Sequence, residues 1–176
     1  MNRPARLATP ASVALLALAA CVTAVPPAGR PVTRPSGDEG MLVYLVGRLA
    51  FTAPADWTAA GDPSRVRLDA PRGDVRLEAS VVQLAFADEK ACLADAEAVL
   101  SRAEAGLANV RRHPSTFAGR RAVTQEADQG PWHGWAWAFC DGPRQYRVWF
   151  TGLSPMGREA LEAQRILAAS ARLEGP

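Results

Sequence analysis

The sequence predicts an α+β domain: a largely antiparallel sheet of about six strands, with a long central helix and a C-terminal helix packed on it. Three observations carry this. Apolar and polar residues alternate over 65–84 and again over 120–152, with turn residues between the runs. Between these stretches, residues 88–107 carry a single apolar stripe at helical spacing. A helix start follows the last strand-like run, at Ser154-Pro155. Strands next to each other in sequence then pair locally, hence antiparallel.

The elements follow in order. Residues 42–52 form an apolar run that leads through Pro54 to Trp57. Val66, Leu68 and Ala70 alternate with Arg65, Arg67 and Asp69, and Pro71-Arg72-Gly73-Asp74 supplies a turn. Val75, Leu77, Ala79 and Val81 then alternate with Arg76, Glu78 and Ser80, so 65–84 reads as a β-hairpin. Asp88 is placed to cap a helix running to about Leu107, with Glu89 at its positive end. Its stripe comprises Cys92, Leu93, Ala96, Val99, Leu100, Ala103 and Leu107. His113-Pro114 reads as loop. Three strand-like runs follow: Arg120 to Ala127, Trp132 to Cys140 and Arg144 to Gly152, with Asp141-Gly142 as a hairpin signal between the last two. Ser154 as N-cap opens the final helix, pinned by Leu161, Ile166 and Leu167.

Ahead of this domain, taken as 41–176, lie two segments of different character. Arg3 and Arg6 precede an apolar stretch, Ala11 to Ala20, in the pattern of an export signal over 1–20. That stretch is well short of the ~20 residues that span a bilayer. Its end, Leu18-Ala19-Ala20-Cys21, resembles the lipobox of bacterial lipoproteins. The resemblance implies cleavage before Cys21, lipid on its sulfur, and a domain tethered to the cell envelope outside the cytoplasm. Anchoring of this kind is firm because each buried CH₂ contributes ~0.8 kcal/mol. In Gram-negative lipoproteins Asp at the next position signals inner-membrane retention; Val22 therefore points to the outer membrane, facing the periplasm. The competing reading is an ordinary signal cut after Ala24, which discards Cys21. Residues 21–40, with Pro26, Pro27, Pro31 and Pro35, read as an extended tether.

Charge and cysteine content bound the function. The formal charge of +2 comes from Arg3 and Arg6, so the exported part carries 18 basic and 18 acidic side chains and shows no bias toward nucleic acid. Arg111-Arg112 and Arg120-Arg121 form a small basic patch if their segments pair, but nearby Glu126 and Asp128 offset its four charges. Cys92 and Cys140 reach an oxidising compartment as an even pair and predict a disulfide, worth about 4 kcal/mol on the loop-entropy model. Two separately buried thiols are the alternative.

A second resemblance lies in the domain itself. Phe51-Thr52-Ala53-Pro54-Ala55-Asp56-Trp57 is similar to the F-x-x-P-x-x-W opening of the PsbP-like and DcrB-like α+β domains. The likeness continues through Gly119-Arg120-Arg121-Ala122 and through Tyr146-Arg147-Val148-Trp149-Phe150-Thr151-Gly152, over about residues 46–174. It implies an antiparallel sheet with helices on its faces, and an accessory rather than catalytic role.

Seven of the twelve aromatic residues fall in 132–150. On strands, Trp135, Trp137 and Phe139 share one face and meet Tyr146, Val148 and Phe150 across the hairpin. Trp132 and Trp149 point the other way. With His133 they form a candidate recognition surface, the plainer alternative being rim and core packing. No catalytic residue is assigned: Ser154 lacks G-x-S-x-G spacing, His133 has no positioned partner, and the acidic pairs lie on predicted helices. No phosphate loop or metal spacing is present, so no cofactor or metal is implied. The sequence thus points to a non-enzymatic envelope lipoprotein that binds another envelope protein. A small-ligand carrier with its site beside the Trp-rich hairpin is the alternative, and a hydrolase stands third.

Overall fold

A computed structural model describes residues 29–103 and 105–175. The signal and Cys21 lie outside them. The described chain runs β1 (Val32–Pro35), β2 (Met41–Val46), β3 (Leu49–Pro54), β4 (Thr58–Asp62), β5 (Arg65–Asp69), β6 (Val75–Gln83) and α1 (Glu89–Arg102). It continues with β7 (Ala108–Phe117), β8 (Arg120–Gln129), β9 (Trp132–Asp141), β10 (Arg144–Leu153), α2 (Arg158–Ser170) and β11 (Arg172–Leu173).

The strands build two sheets, not the single sheet of about six that the sequence suggests. The larger has seven strands in the order β4-β5-β6-β10-β9-β8-β7, and the smaller has four, β1-β2-β3-β11. Every pairing is antiparallel, as expected. The main core lies between the sheets. Tyr44, Leu49 and Phe51 of the small sheet meet Leu77, Phe139, Tyr146 and Phe150 of the large one, and Ala160, Ala163 and Leu167 of α2 close the side. Helix α1 lies on the opposite face of the large sheet, over β8 and β9. There Ala96 and Leu100 pack on Ala136 and Ala138, with Val123 and Trp149 at the edge. The small residues on both partners bring the helix close to the sheet.

The departures from expectation have local causes. The apolar run 42–52 is a hairpin, because Gly47 takes a positive φ of 57° and turns the chain between Val46 and Leu49. A strand buried on both faces, as β3 is from Leu49 to Thr52, shows no alternation to read. Residues 32–35, within the expected tether, pair with β2 as an edge strand, and an Arg34–Glu174 ion pair ties that strand to the C-terminal end. His113-Pro114 is not loop but lies in β7, an edge strand where a missing N–H is tolerated. Helix α1 ends at Arg102, short of Leu107, and Gly106 follows at φ 87°. Asp88 does cap it, accepting from the Ala91 N–H at 2.8 Å.

Ser154 does not cap the last helix. Its N–H donates to the Pro131 carbonyl at 2.8 Å, the Ser154-Pro155 peptide is cis, and α2 starts at Arg158 with Gly157 as cap. Leu161 is exposed on α2, so Ala160, Ala163 and Leu167 pin that helix in its place.

Cys92 and Cys140 form a disulfide, with their Cα atoms 6.3 Å apart. It joins the first turn of α1 to the C-terminal end of β9. Beside it, Gln145 is fully buried: its amide donates to the Cys92 carbonyl at 3.3 Å and to Asp95 at 3.0 Å, and its carbonyl oxygen accepts from Arg147 Nε at 2.7 Å.

Candidate functional site

Register decides which predicted site residues meet. Phe139 lies opposite Tyr146, Trp137 opposite Val148 and Trp135 opposite Phe150. These six belong to the core between the sheets, as alternation indicates. Trp132 and Trp149 occupy the other face, the one that carries α1, and both are half-buried.

His133 lines the same space as the two tryptophans, with its ring turned toward Trp135. The two rings meet edge-on at 4.8 Å and 90°. Its Nδ1 is 2.6 Å from Asp128 and its Nε2 is 3.3 Å from Glu126. The hydrogen bond is the one from Nδ1 to Asp128, and Glu126 stands near Nε2 as a second carboxylate. Asp128 also accepts from the Asn109 side chain at 2.6 Å; that bond, followed by the one to His133, holds its carboxyl below the usual range.

Trp132 and Trp149 frame a notch of about 190 Å³, which His133 and Trp135 also line. Its floor is made of small residues, Ala127, Gly134 and Ala136, and Ala103 and Leu107 close it beyond the end of α1. Gly134 is required there. A Cβ at that position would stand 2.7 Å from the Phe150 carbonyl oxygen and 2.7 Å from Thr151 Cγ2. Gln125, Gln129 and Thr151 add polar groups to the notch. Its size falls below the ~300–1,000 Å³ of pockets that enclose a drug-sized molecule. The notch fits a side chain.

Past Trp149 the notch opens onto a broader cleft of about 600 Å³, where α1 leaves β5, β6 and β10 uncovered. Trp149, Thr151 and Gln129 line both spaces. The cleft adds Arg65, Arg76, Glu78, Ser80 and Arg147. Arg65 donates to Glu78 at 3.0 Å, and Arg76 donates to Asp69 at 2.8 Å. Partial burial raises the Asp69 carboxyl, but hydrogen bonds from Arg67 and Arg76 outweigh it and hold the group below its ordinary value.

The proposed basic patch does not assemble. Although β7 and β8 pair, Arg111 and Arg112 lie opposite Glu126 and Gln125, while Arg120 and Arg121 sit at the other end of that hairpin. Arg120 and Arg48 instead grip the buried Asp141 at 2.9 and 2.7 Å. Among the described residues no group of three or more His, Cys, Asp or Glu side chains could hold a metal, and no helix is long and apolar enough to cross a membrane.

Sequence reasoning found both tryptophans but missed the cleft. Arg65, Arg76 and Glu78 read there as the outward positions of a hairpin, and Gly134 as part of a strand.

No protein-family model matches the chain, and no curated protein does. Solved structures do resemble it. The chain resembles cyanobacterial PsbP (CyanoP) from Synechocystis sp. PCC 6803 at a TM-score of 0.56 and 12% identity, over 80% of this chain and 96% of that one. LpqN, involved in cell envelope biogenesis of Mycobacterium tuberculosis, aligns at a TM-score of 0.49 and 12% identity, over 83% of this chain and 91% of that one. A protein from Bacteroides thetaiotaomicron aligns at a TM-score of 0.48 and 10% identity, over 84% of this chain and 49% of that one. The fold is PsbP-like. Fold alone does not carry function.

Proposed function

We propose that this chain is a non-enzymatic accessory protein of the cell envelope, held on a membrane by lipid at Cys21, that binds another envelope protein. The outer membrane, with the domain facing the periplasm, is the location that Val22 favours. One observation carries the binding role: the side-chain-sized notch between Trp132 and Trp149, opening directly onto a wide polar cleft. A segment of a protein partner suits this form, with one apolar residue anchored between tryptophans and its neighbours laid along the cleft. The PsbP-like fold agrees with an accessory role.

A small-ligand carrier is the second reading. What favours it is the apolar notch with Gln125, Gln129 and Thr151 converging on it. The small volume of that notch weighs toward the protein partner.

Crosslinking in intact cells, followed by identification of captured proteins, tests the binding role. Wild type is expected to yield a discrete envelope partner that is lost with Trp132→Ala; capture indifferent to that substitution counts against the groove. Lipid labelling with intact mass tests the anchor. Cys21→Ser is expected to abolish label and leave the protein unanchored, and unchanged labelling would sink the lipoprotein assignment.

A further inference from the structure

The polar cleft beside the notch is not neutral. Of its lining side chains, Arg65, Arg76 and Arg147 are cationic and Glu78 alone is anionic. This excess stands out in a chain whose exported part balances 18 basic against 18 acidic residues. The three arginines are not equally available. Arg65 is paired to Glu78, and Arg76 shares Asp69 with Arg67. Arg147 donates from Nε to the neutral amide oxygen of Gln145, and among the described residues no carboxylate pairs with it. Its position is fixed nonetheless, because that Gln145 is buried and held in turn by Asp95 and the Cys92 carbonyl. A guanidinium so oriented has its remaining N–H groups free for an incoming carboxylate, and Arg presents them in a fork that matches one. Ser80 lies opposite it on β6 with a hydroxyl. Two residues along β10 from Arg147, and on the same face, stands Trp149, the wall of the apolar notch.

Resting on the protein-binding reading above, we infer that the groove recognises an acidic peptide segment of its partner: one large apolar residue seated between Trp132 and Trp149, with Asp or Glu close by in sequence paired to Arg147. Along an extended segment the side chains two apart are roughly 6–7 Å from each other, the same spacing that separates Trp149 from Arg147 on β10. Notch and guanidinium therefore suit residues i and i+2 of a bound strand-like peptide. The small notch accepts a side chain, and the arginine excess selects the charge beside it.

The probe is a displayed library of random ten-residue peptides, selected against the purified full chain and followed by binding measurements on the enriched peptides. Enriched sequences are expected to share a large apolar residue with Asp or Glu within about two positions. Their binding should weaken at least tenfold with Arg147→Glu and with Trp149→Ala, and should fall steeply as salt rises. Ser80→Glu places an acid in the cleft without removing a buried group and should weaken binding in the same direction, which keeps the test decisive if Trp149→Ala does not fold. Peptides that need Trp149 but show no acidic preference, and are indifferent to Arg147→Glu and Ser80→Glu, would overturn the charge assignment while leaving the protein-binding reading intact. No enrichment, or enrichment insensitive to all three variants, would overturn both. Attachment of the chain to phosphatidylglycerol vesicles, abolished by Arg147→Glu in the absence of peptide selection, would assign the cleft to a lipid surface and overturn the peptide.

Discussion

The two faces of the seven-stranded sheet are built from the same strands and finished differently. One is closed: Phe139, Tyr146, Val148 and Phe150 have no exposed surface, and the small sheet with α2 covers them. The other is half covered, since α1 lies over β8 and β9 and leaves β6, β5 and part of β10 open. On the closed face large rings fill the space, with Phe139 and Tyr146 stacked at 5.0 Å. On the open face small residues under α1 give way to two half-buried tryptophans and then to arginines. A helix that covered the whole sheet would leave no groove. One face accounts for the fold, and the other is where a partner has room.

The largest effect expected is on the closed face. Phe150→Ala removes a fully buried ring and is expected to cost about 3–5 kcal/mol, read from denaturant unfolding. A small loss there would mean that the core between the sheets is loosely packed. On the open face, replacing both Cys92 and Cys140 by Ala is expected to cost about 2–4 kcal/mol. It should also raise hydrogen exchange in α1 before the strands of the core, because the bridge ties that helix to β9. Exchange rising equally in both sheets would show that the two faces are one cooperative unit.

Gly134→Ala comes next. Its Cβ would press on the Phe150 carbonyl oxygen, so a loss of about 1–3 kcal/mol is expected, together with a shallower notch. Asp88→Ala removes the cap of α1 and is expected to cost about 1 kcal/mol.

The smallest effect lies in acid. Asp69 on the open face and Asp128 on the strand that bears the His133 partners both have carboxyls held below their ordinary range. Groups lowered in this way contribute stability above the unfolded value near 4, and lose it as pH falls through the folded value. Melting temperature is therefore expected to drop below about pH 4, and Asp69→Asn should flatten that drop.

How much of this was legible depended on exposure pattern. The hairpin of β5 and β6 and the run from β8 to β10 each have one buried and one less buried face. Their alternation marks them, and it also pairs Trp135, Trp137 and Phe139 with Phe150, Val148 and Tyr146. Strand β3 is buried from Leu49 to Ala53, and β4 is exposed along most of its length, so neither alternates. Strand β7 is an edge interrupted by Pro114. That the strands divide into two sheets is a matter of tertiary packing, which no local period encodes. The disulfide was readable from an even cysteine pair and the oxidising compartment that the export-signal pattern implies. The cleft was not, because an arginine on an outward strand position looks the same whether or not a helix covers it.

The central claim is that the half-covered face binds the partner. A photo-crosslinking residue placed at Thr151, which lines both notch and cleft, tests it against one placed at Leu161, exposed on α2 at the far side of the core. In intact cells a discrete adduct is expected from position 151 and none from position 161. An adduct from position 161 alone, or equal adducts from both, would contradict the account.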